Sequence, residues 1–353
     1  MRLGKLRNTL IEQNLDAIFI SQPDNRHYLS GFTGSAGNLL ISSDRAVLIT
    51  DFRYYEQVGH QAPDYELAKI TTKLSDLLSE LLAGVGVKRL GFESQHVTVD
   101  QLYEWSQATG GVEWVPLKGT VEKLRAVKDE GEIEALRRST ALTDAAFAHL
   151  LDVIKPGMTE REAAWQIEAY MRTHGASRMA FSPIVAAGPS GAMPHARPGD
   201  HEIQPGEPIV IDIGCVVDGY CSDMTRTICL GEPSEKYLEV WDIIRQAQQA
   251  AEDGIHAGMS GAEAHALAGD IIGAAGYGDY FGHGLGHGVG LAVHEGPRAW
   301  RLGDNTLEAG MILTVEPGIY LPGEFGVRIE DLVIIRDDGI EILTRTPKAP
   351  VVA

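Results

Sequence analysis

Residues 208–230 of this 353-residue chain, PIVIDIGCVVDGYCSDMTRTICL, decide how its larger part folds. Two apolar, alternating runs flank Asp218-Gly219, a pair suited to a type I′ turn because both residues tolerate positive φ. A two-residue turn there pairs Val217 with Tyr220, and counting outward pairs Gly214 with Asp223. Asp212 lies two residues from Gly214 and shares its face of the ribbon. Asp212 and Asp223 are therefore diagonal neighbours, roughly 7–8 Å apart at the backbone, and Gly214 is expected to leave open space opposite Asp223. Two carboxylates directed into one space are costly unless a proton or a cation lies between them.

A related pattern recurs at 311–335, MILTVEPGIYLPGEFGVRIEDLVII, where two strands flank a longer loop around LPGEFG. Glu316 and Glu330 stand symmetrically about Gly323, and Arg328 shares a strand face with Glu330. Each hairpin follows a matching helix start. IKPGMTEREAAWQIEAY from Ile154 and IHAGMSGAEAHALAGDI from Ile255 share Ile, Gly-Met, a Thr or Ser, and Glu-Ala in order. Thr159 with Glu162 and Ser260 with Glu263 both fit the capping box. Two helix-then-hairpin halves predict a duplicated domain with an approximate internal two-fold, and four mirrored acids read together as one cation site.

Between the hairpins lies FGHGLGHGVGLAVHEGPR, residues 281–298, whose glycines allow close backbone approach and positive φ. His287 at its centre is the natural nitrogen ligand, with His283 and His294 close by and His195 preceding Asp212. Neither G-x-x-x-x-G-K-[ST] nor G-x-G-x-x-G occurs, so a phosphate cradle is a poor reading of these glycines, and H-E-x-x-H is absent too. Five ligands, four of them oxygen donors, suit two hard or borderline divalent ions, Mn²⁺ first, with Co²⁺ or Zn²⁺ as alternatives. Such a pair activates water and stabilises a developing oxyanion. The implied reaction is hydrolysis, and spacing alone does not name the bond.

Upstream, residues 1–14 read as an amphipathic helix with Leu3, Leu6 and Leu10 on one face. The apolar runs DAIFI, NLLIS, AVLIT, ELAKI and RLGFE follow, separated by turn residues and a helical stretch near 74–83, which is the pattern of a small α/β domain. A charged helical connector from about Val121 leads onward, placing a boundary near residue 126 and giving domains 1–126 and 127–353.

A net charge of −19 argues against nucleic acid or an anionic membrane as partner, since phosphate contacts need clustered cations. No apolar run approaches the roughly 20 residues of a membrane span, and DAIFI is too short for a signal-peptide core. The chain reads as cytoplasmic. Cys215, Cys221 and Cys229 lack C-x-x-C spacing and read as buried free thiols.

The order Asp212, Asp223, His287, Glu316, Glu330, set in IDIGCVVDGYCSDMTRT, HGLGHGVGLAVHE, TVEPGIY and GVRIEDLVII, resembles the dinuclear metallopeptidases of the pita-bread fold, specifically the Xaa-Pro dipeptidases (prolidases) and aminopeptidases P. YLSGFTGSAGNLLI and DFRYYEQ resemble that family's creatinase-type amino-terminal domain, so the resemblance covers nearly the whole chain. It implies an α/β (α+β) architecture, a creatinase-type domain followed by the duplicated pita-bread domain. It implies that all five residues are metal ligands, with Asp223 and Glu330 bridging, and that Glu316 also shuttles a proton to the leaving nitrogen. His195, His283 and His294 match accessory catalytic histidines. Tyr320 and Arg328 match residues near substrate, the arginine standing behind the ligands.

The resemblance further implies Xaa-Pro dipeptides or short proline-containing peptides as substrates, and a homodimer. Arg298 matches the position where some microbial dipeptidases meet the proline carboxylate, which favours a dipeptidase over an aminopeptidase P. A catalytically inactive binding protein would be expected to lose ligands, as would a metal-free creatinase-type amidinohydrolase, and none is missing. A methionine aminopeptidase normally lacks the leading domain.

Overall fold

The structure, a computed structural model, describes residues 2–352. The chain divides into two compact units, Met1–Arg125 and Ala126–Ala353.

In the first unit α1 (Arg2–Glu12) buries Leu6 and Leu10. A six-stranded sheet follows from β1 (Ala17–Ile20), β2 (Asn38–Ser42), β3 (Ala46–Thr50), β4 (Glu66–Lys69), β5 (Arg89–Glu93) and β6 (Glu113–Leu117), in the order β4-β3-β2-β1-β5-β6. The β1–β2 and β2–β3 pairs are antiparallel and the other three parallel. Helices α2 (Pro23–Ser30), α3 (Tyr55–Gln61), α4 (Leu74–Val85) and α5 (Val99–Ala108) connect the strands. The five apolar runs are five of these strands. The sixth, EWVPL, carries Pro116, a residue that fits only an edge strand because it cannot donate to a ladder, and β6 is the sheet edge.

After α6 (Thr120–Ala126), the second unit opens with α7 (Glu130–Val153) and α8 (Glu160–Thr173). The chain then runs through β7 (Arg178–Met179), β8 (Ile184–Ala187), β9 (Pro208–Ile213), β10 (Cys215–Val217), β11 (Tyr220–Cys221) and β12 (Met224–Leu230). The other half repeats the order with α9 (Glu235–Gly254), α10 (Gly261–Ala274), β13 (Gly286–Gly288), β14 (Glu295–Ala299), β15 (Ile312–Val315), β16 (Gly318–Leu321), β17 (Phe325–Arg328), β18 (Asp331–Arg336) and β19 (Gly339–Ile342). The short β20 (Val351–Val352) joins β12 in parallel. Each half has its own apolar core, one around Ile167, Ile211 and Met224, the other around Ile244, Leu313 and Val333.

The duplication is visible in backbone hydrogen bonds. Gly157 N–H donates to the Ile203 carbonyl at 2.9 Å, as Gly258 N–H does to Leu307 at 2.8 Å; Ile203 N–H returns to Met158 at 2.9 Å, as Leu307 N–H does to Met259 at 2.8 Å. The glycine of each shared Gly-Met stands at positive φ, 86° and 94°, which explains its recurrence. Both expected capping boxes form, at Thr159 with Glu162 and at Ser260 with Glu263.

Candidate metal centre

The centre is built by two ribbons. In the first, Asp218 and Gly219 adopt φ of 51° and 87°, the type I′ signature, and Val217 pairs with Tyr220. The same register continues beyond a break, with Ile213 opposite Met224 and Asp212 opposite Thr225. Gly214 and Asp223 fall in the break. The open space expected at Gly214 is not there: a Cβ at that position would lie 2.1 Å from the Ser222 carbonyl oxygen and 2.8 Å from the Phe181 ring. The glycine lets the ribbon fold onto its own backbone rather than making a cavity.

The second ribbon behaves alike. Leu321 pairs with Phe325 around a short turn at Gly323, shorter than the loop expected, and Gly318 with Arg328; the register resumes at Val315 opposite Asp331. Glu316 and Glu330 lie in that interruption, outside the ladders that hold their neighbours. Glu330 N–H crosses to the Thr225 carbonyl at 3.0 Å and so joins the ribbons.

The glycine-rich stretch supplies the imidazole. A Cβ on Gly286 would meet the Thr314 carbonyl oxygen at 1.8 Å, and one on Gly288 the Gly296 carbonyl oxygen at 2.1 Å. Only glycine lets β13 lie so close to β15 and β14. His287 sits between them. Its Nδ1 bonds the Gly288 carbonyl at 3.1 Å, which makes Nδ1 the donor and leaves Nε2 with its lone pair facing the acids, 3.3 Å from Glu316 Oε1 and 3.7 Å from Asp223 Oδ2. Ligand atoms of Asp223, His287 and Glu330 all lie within 4.8 Å of one another.

Two threonines hold the acids. Thr225 Oγ1 donates to Glu330 Oε2 at 2.6 Å and accepts from Arg328 Nε at 3.0 Å. Thr314 Oγ1 donates to Glu316 Oε1 at 3.0 Å and accepts the His287 N–H at 3.0 Å. Neither threonine was singled out from sequence, although each precedes or follows an acid by two positions and so shares its face.

Arg328 and Tyr320, expected near substrate, are both buried. The Arg328 guanidinium donates from Nε to Thr225, from Nη1 to Tyr320 Oη at 2.7 Å and from Nη2 to Asp212 Oδ2 at 2.5 Å. Buried with these three partners, it orients the acids. Tyr320 Oη accepts from Arg328 and lies 3.0 Å from His283 Nε2, while His283 Nδ1 bonds the Gly284 carbonyl at 2.7 Å. Neutral His283 therefore accepts the tyrosine proton at Nε2. The His294 ring lies tilted at 58° against that of His287, centroids 4.4 Å apart, and is exposed, as is His195. Arg298 is exposed on β14 directly opposite His287.

The electrostatics are those of carboxylates crowded together out of water. Burial raises the pKa of Asp223 well above the usual carboxylate range, with Glu330, Asp212 and Glu316 adding repulsion; Glu330 is raised likewise, by burial and then by Glu316 and Asp212. Burial also raises Glu316 and lowers His287, His283 and His294. Tyr320 is pushed up to about 12 by burial. Asp212 Oδ1 is buried without a hydrogen-bond partner. A buried oxygen without a donor, beside acids held above their ordinary range, fits a divalent cation among oxygen ligands.

The sequence matches the model of metallopeptidase family M24 over residues 134–337 and that of the creatinase/prolidase N-terminal domain over residues 2–127. The chain belongs to metallopeptidase family M24 and is a peptidase. It is 42% identical to a solved Xaa-Pro dipeptidase from Bacillus anthracis, with a TM-score of 0.97 over 100% of this chain and 99% of that one. An X-Pro aminopeptidase from Thermotoga maritima superposes with a TM-score of 0.91 at 38% identity, covering 96% and 98%. The Xaa-Pro dipeptidase of Pyrococcus furiosus is 35% identical over 98% of both chains.

Proposed function

We propose that the protein hydrolyses the bond before proline in Xaa-Pro dipeptides, using two divalent ions held by Asp212, Asp223, His287, Glu316 and Glu330, with Asp223 and Glu330 shared between them. The observation that carries this reading is the buried meeting of both ribbons' carboxylates with the free Nε2 of His287 and the partnerless Asp212 Oδ1. Bound ions supply Lewis acidity and a nucleophilic water of lowered pKa. The oxygen-rich donor set favours Mn²⁺ over Zn²⁺.

Glu316, raised by burial and held at Oε1 by Thr314, is suited to take a proton from the attacking water and pass it to the proline nitrogen. An amide nitrogen leaves as an amine only when it gains a proton, and here that proton becomes the N–H of the released proline. His294, beside His287, and His195, both exposed, orient the substrate and its developing charge. Arg298, opposite His287, meets the carboxylate of a dipeptide's proline. An aminopeptidase P would place further residues there, and the relative from Thermotoga maritima keeps that reading in view.

No described helix is long and apolar enough to cross a membrane. Three buried free cysteines support a reducing compartment, the cytoplasm, and the active form is taken as a homodimer. The test is release of the amino-terminal residue from Ala-Pro and from Ala-Pro-Ala by metal-stripped protein with and without Mn²⁺. Preference for Ala-Pro with metal is expected; preference for the tripeptide makes the protein an aminopeptidase P.

A further inference from the structure

Lys128 is joined by its backbone N–H to the Gly310 carbonyl at 3.0 Å, beside the bridge between Val127 and Met311. Its ammonium is buried, 1% exposed, and donates to Glu295 Oε1 at 2.9 Å and to the Ala126 carbonyl at 3.2 Å. The Glu295 side chain is 7% exposed. A buried ion pair is weak evidence for stability, because desolvating two charges offsets their attraction. Its effect is to fix geometry, and what it fixes is β14.

That strand runs opposite β13 with Gly286 facing Ala299 and His287 facing Arg298, then slips at a bulge so that Gly288 faces Glu295. The bulge interrupts alternation, so burial assigns the sides: the Glu295 side chain, Pro297 and Ala299 are buried and Arg298 is exposed. His294 is exposed like Arg298. Gly290 admits the Glu295 carboxylate, since a Cβ there would lie 2.4 Å from Oε1. Lys128 thus grips the back of the strand whose front carries His294 and Arg298.

We propose that Lys128, acting through Glu295, is a positioning residue for substrate recognition: the buried pair sets where Arg298 stands relative to His287. This rests on the reading of Arg298 as the partner of the proline carboxylate. Lys128 itself touches no substrate.

The experiment compares KM and kcat for Ala-Pro, and bound Mn²⁺, in the holoenzyme and in Arg298→Ala, Lys128→Met/Glu295→Gln and the triple combination. The double variant removes both charges of the pair together. It is expected to keep its metal and a cooperative melt, to raise KM about tenfold with a smaller change in kcat, and to add nothing when combined with Arg298→Ala, as coupled residues do. Lys128→Arg, which keeps charge and donor, should recover part of the loss. An unchanged KM in the folded, metal-replete double variant overturns the proposal, and so do losses that simply multiply in the triple variant.

If the double variant does not fold, Glu295→Asp takes its place. Shortening the tie by one methylene is expected to raise KM at full metal content, and an unchanged KM there is equally decisive against it. A wild type that leaves Ala-Pro intact defeats the Xaa-Pro reading alone. The tie is then judged by amide exchange across 294–299, where unchanged protection in the double variant overturns it.

Discussion

Arg328 binds one carboxylate oxygen of Asp212 at 2.5 Å while the other, Oδ1, is buried without a hydrogen-bond partner. The guanidinium thus does two things. It fixes the carboxylate, and it directs the remaining lone pairs into the space shared with Asp223 and Glu330. One buried arginine among four acids cannot neutralise them, and the remaining negative charge is what a bound cation would balance.

Asp223→Asn should abolish turnover and lower bound metal, because an amide offers one neutral oxygen where the ions need a charge. The fold should survive, since the substitution also removes a repelling charge from the metal-free site. Activity together with metal content by mass spectrometry decides this; a variant that retains both takes Asp223 out of the centre.

The metal-free protein should lose stability as pH rises. Asp223, Glu316 and Glu330 all have native pKa values raised above their unfolded ones, by burial first. These three carboxylates therefore hold more protons in the folded state than in the unfolded chain above about pH 4 and contribute a negative slope of stability with pH, which the histidines that burial lowers oppose below about pH 6.5. Thermal midpoints of stripped protein at pH 7 and pH 8.5, above the histidine range, measure the carboxylate contribution. The fall should be smaller in Asp223→Asn and be reversed by Mn²⁺, whose affinity itself rises with pH as the ligands deprotonate.

Thr225→Val keeps volume but removes the hydroxyl that accepts from Arg328 and donates to Glu330. Two buried polar groups lose a partner, at a cost of about 1–3 kcal/mol. A metal affinity lowered roughly 10–100-fold is expected from the loosened carboxylate. Titration of stripped protein with Mn²⁺ checks it, and unchanged affinity would show that Arg328 alone holds the site.

His294→Ala should retain metal and lose about 10²–10³ in kcat, the scale for a group that stabilises transition-state charge. If KM alone rises, His294 binds the ground state instead.

Arg298→Ala should lower kcat/KM for Ala-Pro about 10–100-fold, from the loss of a charged hydrogen bond worth about 1.5–3 kcal/mol. Ala-Pro-Ala, which places an amide there, should be affected less. Equal losses on both substrates assign Arg298 to the loop rather than to the carboxylate.

Periodicity and turn chemistry went far in this chain. Asp218-Gly219 announced its turn because few residue pairs tolerate two positive φ values, and counting outward from it located Asp212 and Asp223 on one face. The sequence echo at Gly157 and Gly258 exposed the duplication for the same reason. Composition hid other features. β6 was overlooked because Pro116 and Glu113 disguise an edge strand. The missing side chain of Gly214 suggested a void, yet its meaning depends on where the Ser222 carbonyl and Phe181 arrive, which no local pattern states. Arg328 was placed near substrate by resemblance, since strand parity gives the side, not the partners. Lys128 and Glu295 lie 167 positions apart, and only tertiary structure brings them together.

The two ribbons come from different halves of the domain and contribute equally, two carboxylates from each. A solitary half, with one ribbon, has only a pair of acids and no enclosed centre. Capturing the ions and holding the halves together are consequently linked, each strengthening the other.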